Sequence, residues 1–188
     1  VSFEQGVSGY TGTQDTYILG SAPSSSFGGG GELVLTGSSN QQMLLRFDNL
    51  FNNAGGSIPI GSVITSATLT VHTTQDGTGQ GYAHRVLSGN WTESSTWNSL
   101  TNGISRDNVE ASSTADDSND LSSNNVDLAF TVTSTVQAWA NGGANLGWML
   151  YTDGNEWSIG SSENATQSNR PSLSITYTAP TPPALDLN

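Results

Sequence analysis

Short stretches in which apolar and polar residues alternate recur along the whole chain. The clearest cover residues 32–36, 67–72 and 173–177, and each is bounded by glycine, serine, asparagine or proline. Alternation with a period of two is typical of strands that bury one face. Weaker patterns of the same kind predict five more strands, at residues 16–19, 43–47, 82–87, 128–132 and 147–151.

At least eight short strands separated by turn-rich segments, in a chain of 188 residues, indicate an all-β protein. The predicted fold class is an antiparallel β-sandwich of jelly-roll type with one short helix. The helix is predicted at residues 133–140, where Val136, Trp139 and Ala140 follow helical spacing. Thr133 or Ser134 is the predicted N-cap, and the Asn-Gly-Gly run at residues 141–143 ends the helix.

Two segments carry no strand pattern. Residues 101–125 consist almost entirely of serine, asparagine, aspartate and threonine, so we predict a long loop, which in a compact domain favours a binding or metal-holding role. The proline-rich stretch that follows residue 177 predicts a stiff, extended linker. We therefore expect a domain at residues 1–177 and a linker at residues 178–188 that leads to a further module.

The composition excludes several classes of function. The chain has no cysteine, which excludes disulfide scaffolds, thiolate zinc sites and cysteine nucleophiles. Its net charge is -12, with sixteen acidic residues against four arginines and no lysine. Nucleic acids and anionic membranes are therefore excluded as partners. No apolar run approaches the ~18 residues of a membrane span. We expect a protein that is secreted or extracellular, and monomeric.

Enzyme signatures are absent from the sequence. The chain has two histidines, but they do not form a His-Glu-x-x-His motif, and it contains no Gly-x-Ser-x-Gly motif. The glycine-rich runs lack the lysine and the strand-to-helix context of a phosphate-binding loop. We therefore predict a protein that is not an enzyme.

Six pieces of the sequence, in order along the chain, resemble the DNRLRE-type domain family. They lie at residues 14–18, 44–48, 58–61 followed by 64–69, 91–98, 132–133 with 136–139, and 170–177. The resemblance implies a jelly-roll carbohydrate-binding module of a secreted, multimodular protein. Such a module binds polysaccharide without catalysis and tethers a neighbouring catalytic domain to its substrate, and marine or algal polysaccharides are among the candidates.

Tryptophans are the first candidates for contact with a sugar, because the apolar faces of pyranoses stack on aromatic rings. Trp157 follows a turn and lies outside the six shared pieces, so it is the predicted ligand contact. The alternative is that Trp157 faces inward, since it shares strand parity with Ile159. Trp91 and Trp97 form either a stacking platform or part of the core, and Trp139 is predicted to be core.

Polar candidates for the same ligand cluster at two places. Tyr82, His84 and Arg85 fall on one predicted strand, with Tyr82 and His84 on one face and Arg85 on the other. The Arg85 guanidinium is suited to sugar hydroxyls or to a carboxylate. The alternative role for His84 and Arg85 is internal hydrogen bonding or a surface ion pair. Asp153, in the turn before Trp157, completes the predicted ligand-binding set.

Calcium is the predicted cofactor, in a structural role, because hard cations bind several oxygen ligands. The predicted ligands are Asp116, Asp117 and Asp120 in the long loop and Glu156 in the turn before Trp157. The alternative is that these acidic loops are simply solvated. A second candidate function follows from calcium binding, namely a structural or adhesive β-sandwich spacer at a cell surface that calcium makes rigid.

Overall fold

The computed structural model describes residues 1–36 and 40–181. Within them the chain forms eleven β-strands and one α-helix. Their bounds are β1 Ser2–Glu4, β2 Thr13–Leu19, β3 Glu32–Thr36, β4 Gln41–Phe47, β5 Val63–Gln75, β6 Gln80–Arg85, β7 Asp117–Asp120, β8 Asp127–Thr131, α1 Thr133–Ala140, β9 Trp148–Thr152, β10 Glu156–Gly160 and β11 Ser172–Thr178.

The strands form two antiparallel sheets. Sheet 1 has the order β1-β11-β5-β10-β3, with β8 paired to the other edge of the long strand β5. Sheet 2 has the order β2-β4-β9-β6-β7. Most neighbours within a sheet are distant in sequence, as in jelly rolls. The predicted all-β sandwich with one short helix is therefore confirmed.

The main hydrophobic core lies between the inner faces of the two sheets. It includes Leu45 and Leu150 from sheet 2 and Leu69, Ile159 and Leu173 from sheet 1, all fully buried. A second buried cluster lies on the outer face of sheet 2, beneath the segment that runs from residue 87 to residue 112. Its members are Leu44, Val86, Trp91, Ile104, Ala111 and Met149. This segment leaves only part of the outer face of sheet 2 open.

The helix α1 has the predicted bounds, and it buries Val136, Trp139 and Ala140 as its spacing predicts. The predicted N-cap is wrong. Val132 occupies the cap position without a side-chain hydrogen bond, and the Thr133 hydroxyl instead accepts a hydrogen bond from the Ala67 N–H of β5 at 2.9 Å. A threonine that satisfies a strand N–H ties the helix to sheet 1.

The predicted long loop at residues 101–125 is wrong in part, because it contains β7. This strand is held by main-chain pairing with β6. Its side chains are polar on both faces because it is the edge strand of sheet 2 and is largely exposed. An edge strand of this kind shows no alternation, which is why the pattern missed it. The pattern also missed the short strands β1 and β10.

Two side chains of β7, in sheet 2, form hydrogen bonds with the main chain of β8, in sheet 1. The Thr131 N–H of β8 donates to Asp117 Oδ2 at 2.7 Å, and Asn119 Nδ2 donates to the Ala129 carbonyl at 3.1 Å. Both main-chain groups lie on the edge of β8, which would otherwise be left for water or another strand. The side chains of Asp117 and Asn119 thus satisfy the edge of sheet 1 from sheet 2.

Replacing Asp117 by alanine is expected to lower the free energy of unfolding by about 1 kcal/mol, because the Thr131 N–H loses its acceptor. Urea denaturation measures this change. Asp117→Asn keeps an acceptor oxygen and is the matched control, for which we expect little change. Equal losses in both variants would show that the carboxylate charge matters rather than the hydrogen bond.

The C-terminal boundary at residue 177 remains a prediction. Strand β11 ends at Thr178, and residues 182–188 of the predicted linker lie outside the described residues. Among the helices of the described part, none is long and apolar enough to cross a membrane.

Candidate functional site

The open part of the outer face of sheet 2 carries a group of aromatic and polar side chains. Ala83 of β6 is buried in the core between the sheets, so the alternation of the strand turns Tyr82 and His84 to the outer face. Tyr82 pairs directly with Tyr151 of β9. The predicted separation of Tyr82 and His84 from Arg85 is confirmed.

Three side chains on this face form a layered group. The rings of Tyr82 and Tyr151 are stacked, with centroids 5.2 Å apart and planes 19° from parallel. The guanidinium carbon of Arg106 lies 3.7 Å from the centroid of the Tyr151 ring. Both tyrosines are half-buried, and Arg106 is exposed. We call Tyr82, Tyr151 and Arg106 the aromatic stack.

Asp153 lies at the edge of the aromatic stack and holds Tyr82. The Tyr82 hydroxyl donates to Asp153 Oδ2 at 2.8 Å, and the Gln80 N–H donates to Asp153 Oδ1 at 2.8 Å. The hydrogen bond from the Gln80 main chain, followed by the one from Tyr82, lowers the pKa of Asp153. Asp153 is therefore a fixed carboxylate beside an aromatic surface.

His84 lies beside the two tyrosine rings. It is buried, its Nδ1–H donates to the Ser112 carbonyl at 2.8 Å, and its ring lies 5.7 Å from that of Tyr151. Burial lowers the pKa of His84, the Ser112 hydrogen bond opposes this, and the positive charge of Arg106 lowers it further. His84 is accordingly a neutral residue that packs beside Tyr151, with little surface to offer a ligand.

Two predicted ligand contacts lie elsewhere. Arg85 faces the opposite side of sheet 2, near the turn that follows α1, where its Nη2 would lie 3.4 Å from a side-chain carbon placed on Gly143. Trp157 is fully buried in the main core against Phe130. The prediction that Trp157 contacts a ligand is therefore corrected, because a fully buried indole offers no surface. Its parity with Ile159 gave the right orientation.

The pair Trp91 and Trp97 does not form an exposed platform. Trp91 is buried in the cluster on the outer face of sheet 2, and its indole N–H donates to the Leu146 carbonyl at 2.8 Å. Arg46 lies 4.8 Å from the Trp91 ring and also forms a 2.6 Å ion pair with Asp48. Trp91 and Arg46 thus anchor the covering segment to sheet 2.

Three of the four predicted calcium ligands already accept hydrogen bonds from the protein. Asp116 Oδ2 accepts the Trp148 indole N–H at 2.9 Å, Asp117 accepts the Thr131 N–H, and Asp120 accepts the Ser122 N–H at 2.8 Å. Glu156 is exposed on β10. Across residues 1–36 and 40–181, no group of three or more histidine or acidic side chains is arranged to hold a metal ion. Calcium at these four residues remains a prediction.

A small cavity of about 150 Å³ is lined by the segment that covers part of the outer face of sheet 2. Asn90, Thr101 and Glu110 are polar members of its lining, and Leu100 and Ile104 are apolar members. Ile104 is two residues before Arg106, so one loop borders both the cavity and the stack. Apolar floors with a few polar groups are typical of small-ligand sites.

The arrangement can recognise a sugar chain by combining two kinds of contact. The tyrosine rings supply an apolar surface on which a pyranose can pack, while Arg106 donates hydrogen bonds and Asp153 accepts them. Sequence reasoning identified Tyr82 and Asp153 but missed Tyr151 and Arg106. The predicted strand at residues 147–151 contains Tyr151, but only the pairing of β6 with β9 shows that this tyrosine lies beside Tyr82.

Comparison with known proteins identifies one family. The model of carbohydrate-binding module family 96 matches residues 7–177, which is most of the chain. No curated protein matches the chain significantly. The predicted carbohydrate-binding module is therefore confirmed, and the resemblance to DNRLRE-type domains remains a prediction.

Proposed function

Because the chain belongs to carbohydrate-binding module family 96, we propose that it binds polysaccharide at the aromatic stack on the outer face of sheet 2. The family is one of non-catalytic binding modules, so the chain is not an enzyme. The observation that carries the proposed site is the pair of half-exposed, stacked tyrosines, capped by an exposed arginine and bordered by a fixed carboxylate.

The use of the four arginines supports this location. Arg46 pairs with Asp48, and Arg170 donates to the Asn164 and Gln5 carbonyls at 2.9 and 3.0 Å. The exposed Arg106 makes no hydrogen bond or ion pair to the described residues and rests on Tyr151. Arg85 makes none either, but its Nε is buried and it faces the opposite side of sheet 2. In a chain of net charge -12, a cation without a carboxylate partner is available to the hydroxyl or carboxylate groups of a ligand.

Tyr82→Ala and Arg106→Gln are each expected to weaken polysaccharide binding by about 5- to 30-fold, which corresponds to about 1–2 kcal/mol. Tyr82→Phe keeps the ring and loses only the hydroxyl, so its loss should be smaller. Arg85→Gln is the matched control for Arg106→Gln, because it removes the same charge from the opposite face of sheet 2. Affinity electrophoresis in gels that contain neutral or acidic plant and algal polysaccharides measures the effect.

Two results would contradict this site. Equal losses in Arg85→Gln and Arg106→Gln would show that net charge rather than location governs binding. Unchanged retardation of Tyr82→Ala on a gel that retards the wild-type protein would place the ligand elsewhere. If no gel retards the wild-type protein, the structural or adhesive spacer becomes the better proposal.

The cellular role we propose is to tether a neighbouring catalytic domain to its polysaccharide. A weak binding module on the same chain raises the effective concentration of the catalytic domain at an insoluble or gel-like substrate. A secreted protein is the setting in which this role is useful, and the strongly acidic composition of the chain fits it. A marine or algal polysaccharide is the first ligand class to test.

When Tyr82 is replaced by alanine, a fusion of this module to a catalytic domain should lose activity on polysaccharide gels, but not on soluble oligosaccharides.

A further inference from the structure

A buried carboxyl group lies at the opposite edge of the sandwich from β7. Asp15 of β2 faces the interior, opposite the core residue Leu45, and is fully buried. Its Oδ2 accepts the Ser162 N–H at 2.8 Å, while its Oδ1 is buried without a hydrogen-bond partner in the described part of the chain. Half of a buried carboxyl group is thus unsatisfied, which is costly unless something binds there.

A second carboxylate lies beside the first. The Ser162 hydroxyl donates to Glu163 Oε1 at 2.8 Å, so one serine contacts both Asp15 and Glu163. Glu163 is exposed, whereas Asp15 is buried. Glu93 adds further negative charge. Burial, followed by the charge of Glu163, raises the pKa of Asp15 to about 7.

No cation among the described residues neutralises this group. The ion pairs of those residues join Arg46 to Asp48 and His72 to Asp127. Arg170 is the arginine nearest to Glu163 in the sequence, but it donates its hydrogen bonds to main-chain carbonyls. The loop that holds Ser162 and Glu163 also contacts main-chain carbonyls, because the Ser161 hydroxyl donates to the Gly30 carbonyl at 2.6 Å and Asn164 donates to the Gly31 carbonyl.

We propose that Asp15 and Glu163 bind a single divalent cation of the calcium class between β2 and the loop that follows β10. Two carboxylates, neighbouring main-chain or serine oxygens and water satisfy the preference of Ca²⁺ for several oxygen ligands. The site lies apart from the aromatic stack and from the four acidic residues that the sequence pattern favoured. Its unpartnered Asp15 Oδ1 distinguishes it from those residues, three of which already accept hydrogen bonds from the protein.

Thermal unfolding of the chain, with Ca²⁺ in excess and then with a chelator, tests this site. At about pH 8, where the Asp15 carboxyl is ionised, Ca²⁺ should raise the melting temperature of the wild-type protein by about 5–10 °C. Asp15→Asn should abolish the shift. Glu163→Gln should reduce it strongly, and it serves as the second variant if Asp15→Asn does not fold. Asp120→Asn is the matched control, and its shift should equal that of the wild-type protein.

Calcium titration calorimetry gives a direct second readout, with one site expected per chain. The site at Asp15 is refuted if Ca²⁺ leaves the wild-type melting temperature unchanged, or if Asp15→Asn and Glu163→Gln keep the full shift. Loss of the shift in Asp120→Asn alone would move the ion to the β7 end of the sandwich. None of these measurements involves polysaccharide, so their failure leaves the proposed function untouched.

Discussion

Replacement of Trp157 by alanine is expected to lower the free energy of unfolding by about 3–5 kcal/mol. The indole is fully buried, lies against Phe130, and has the Gly81 backbone so close that a side-chain carbon there would sit 3.1 Å from the ring. Truncation removes these contacts and leaves a cavity between closely packed sheets, which cannot collapse to fill it. Urea denaturation followed by circular dichroism measures the loss.

Two further variants give this prediction its controls. Trp157→Phe keeps an aromatic ring and loses no hydrogen bond, because the indole N–H has no partner among the described residues. Its loss should therefore be smaller. Trp97→Ala, at a half-buried position, should also cost less. If Trp157→Ala retained wild-type stability but lost polysaccharide binding, the indole would be a ligand contact after all.

In the presence of a chelator, the stability of the fold is expected to decrease as the pH rises from about 4 to about 7 through the ionisation of Asp15. The raised pKa, about 7 against 3.8 for an ordinary aspartate, means that the folded protein binds this proton more tightly than the unfolded chain. This stabilising contribution is fully present at pH values below the pKa of Asp15 in the unfolded chain. It is lost as the pH rises through the pKa of Asp15 in the folded protein. Its full size is at most about 4 kcal/mol.

The difference between the wild-type protein and Asp15→Asn isolates this effect. The amide that replaces the carboxyl group cannot ionise, so the stability of the variant should not fall over the same range. The variant should therefore be the more stable of the two near pH 8 in chelator. The lowered pKa of His84 acts oppositely, since it removes stability as the pH falls below the ordinary histidine value. If the stability of the two proteins changed in parallel with pH, Asp15 would be ionised over the whole of this pH range.

The sandwich follows from local patterns because its strands bury one face against the other sheet. Strands β3, β5 and β11 alternate clearly, and α1 shows its apolar positions at helical spacing. Strand β7 is invisible to the same reasoning because it is an exposed edge, stabilised by main-chain bonds to β6. The pattern reports the burial of apolar side chains, and a strand without apolar side chains leaves no such pattern.

The candidate site depends on strand pairing, which local patterns do not contain. Parity placed Tyr82 and His84 on one face, but nothing local shows that β6 lies beside β9 and brings Tyr151 next to Tyr82. Arg106 reaches the face from a loop. The wrong assignment of Trp157 has the opposite origin. A residue just after a turn was taken as exposed, whereas β10 lies in the interior of sheet 1 between β5 and β3.

The pairing of β1 with β11 has a mechanical consequence. These antiparallel strands place Val1 beside Ile175, at 2.9 Å between the amino group and the carbonyl, while the chain leaves β11 at Thr178. Tension applied through the two ends would therefore load the hydrogen bonds of β1 one after another, beginning at Val1. The strand would peel away at low force, while the pull at Thr178 would act on the pairing of β11 with Val63 of β5.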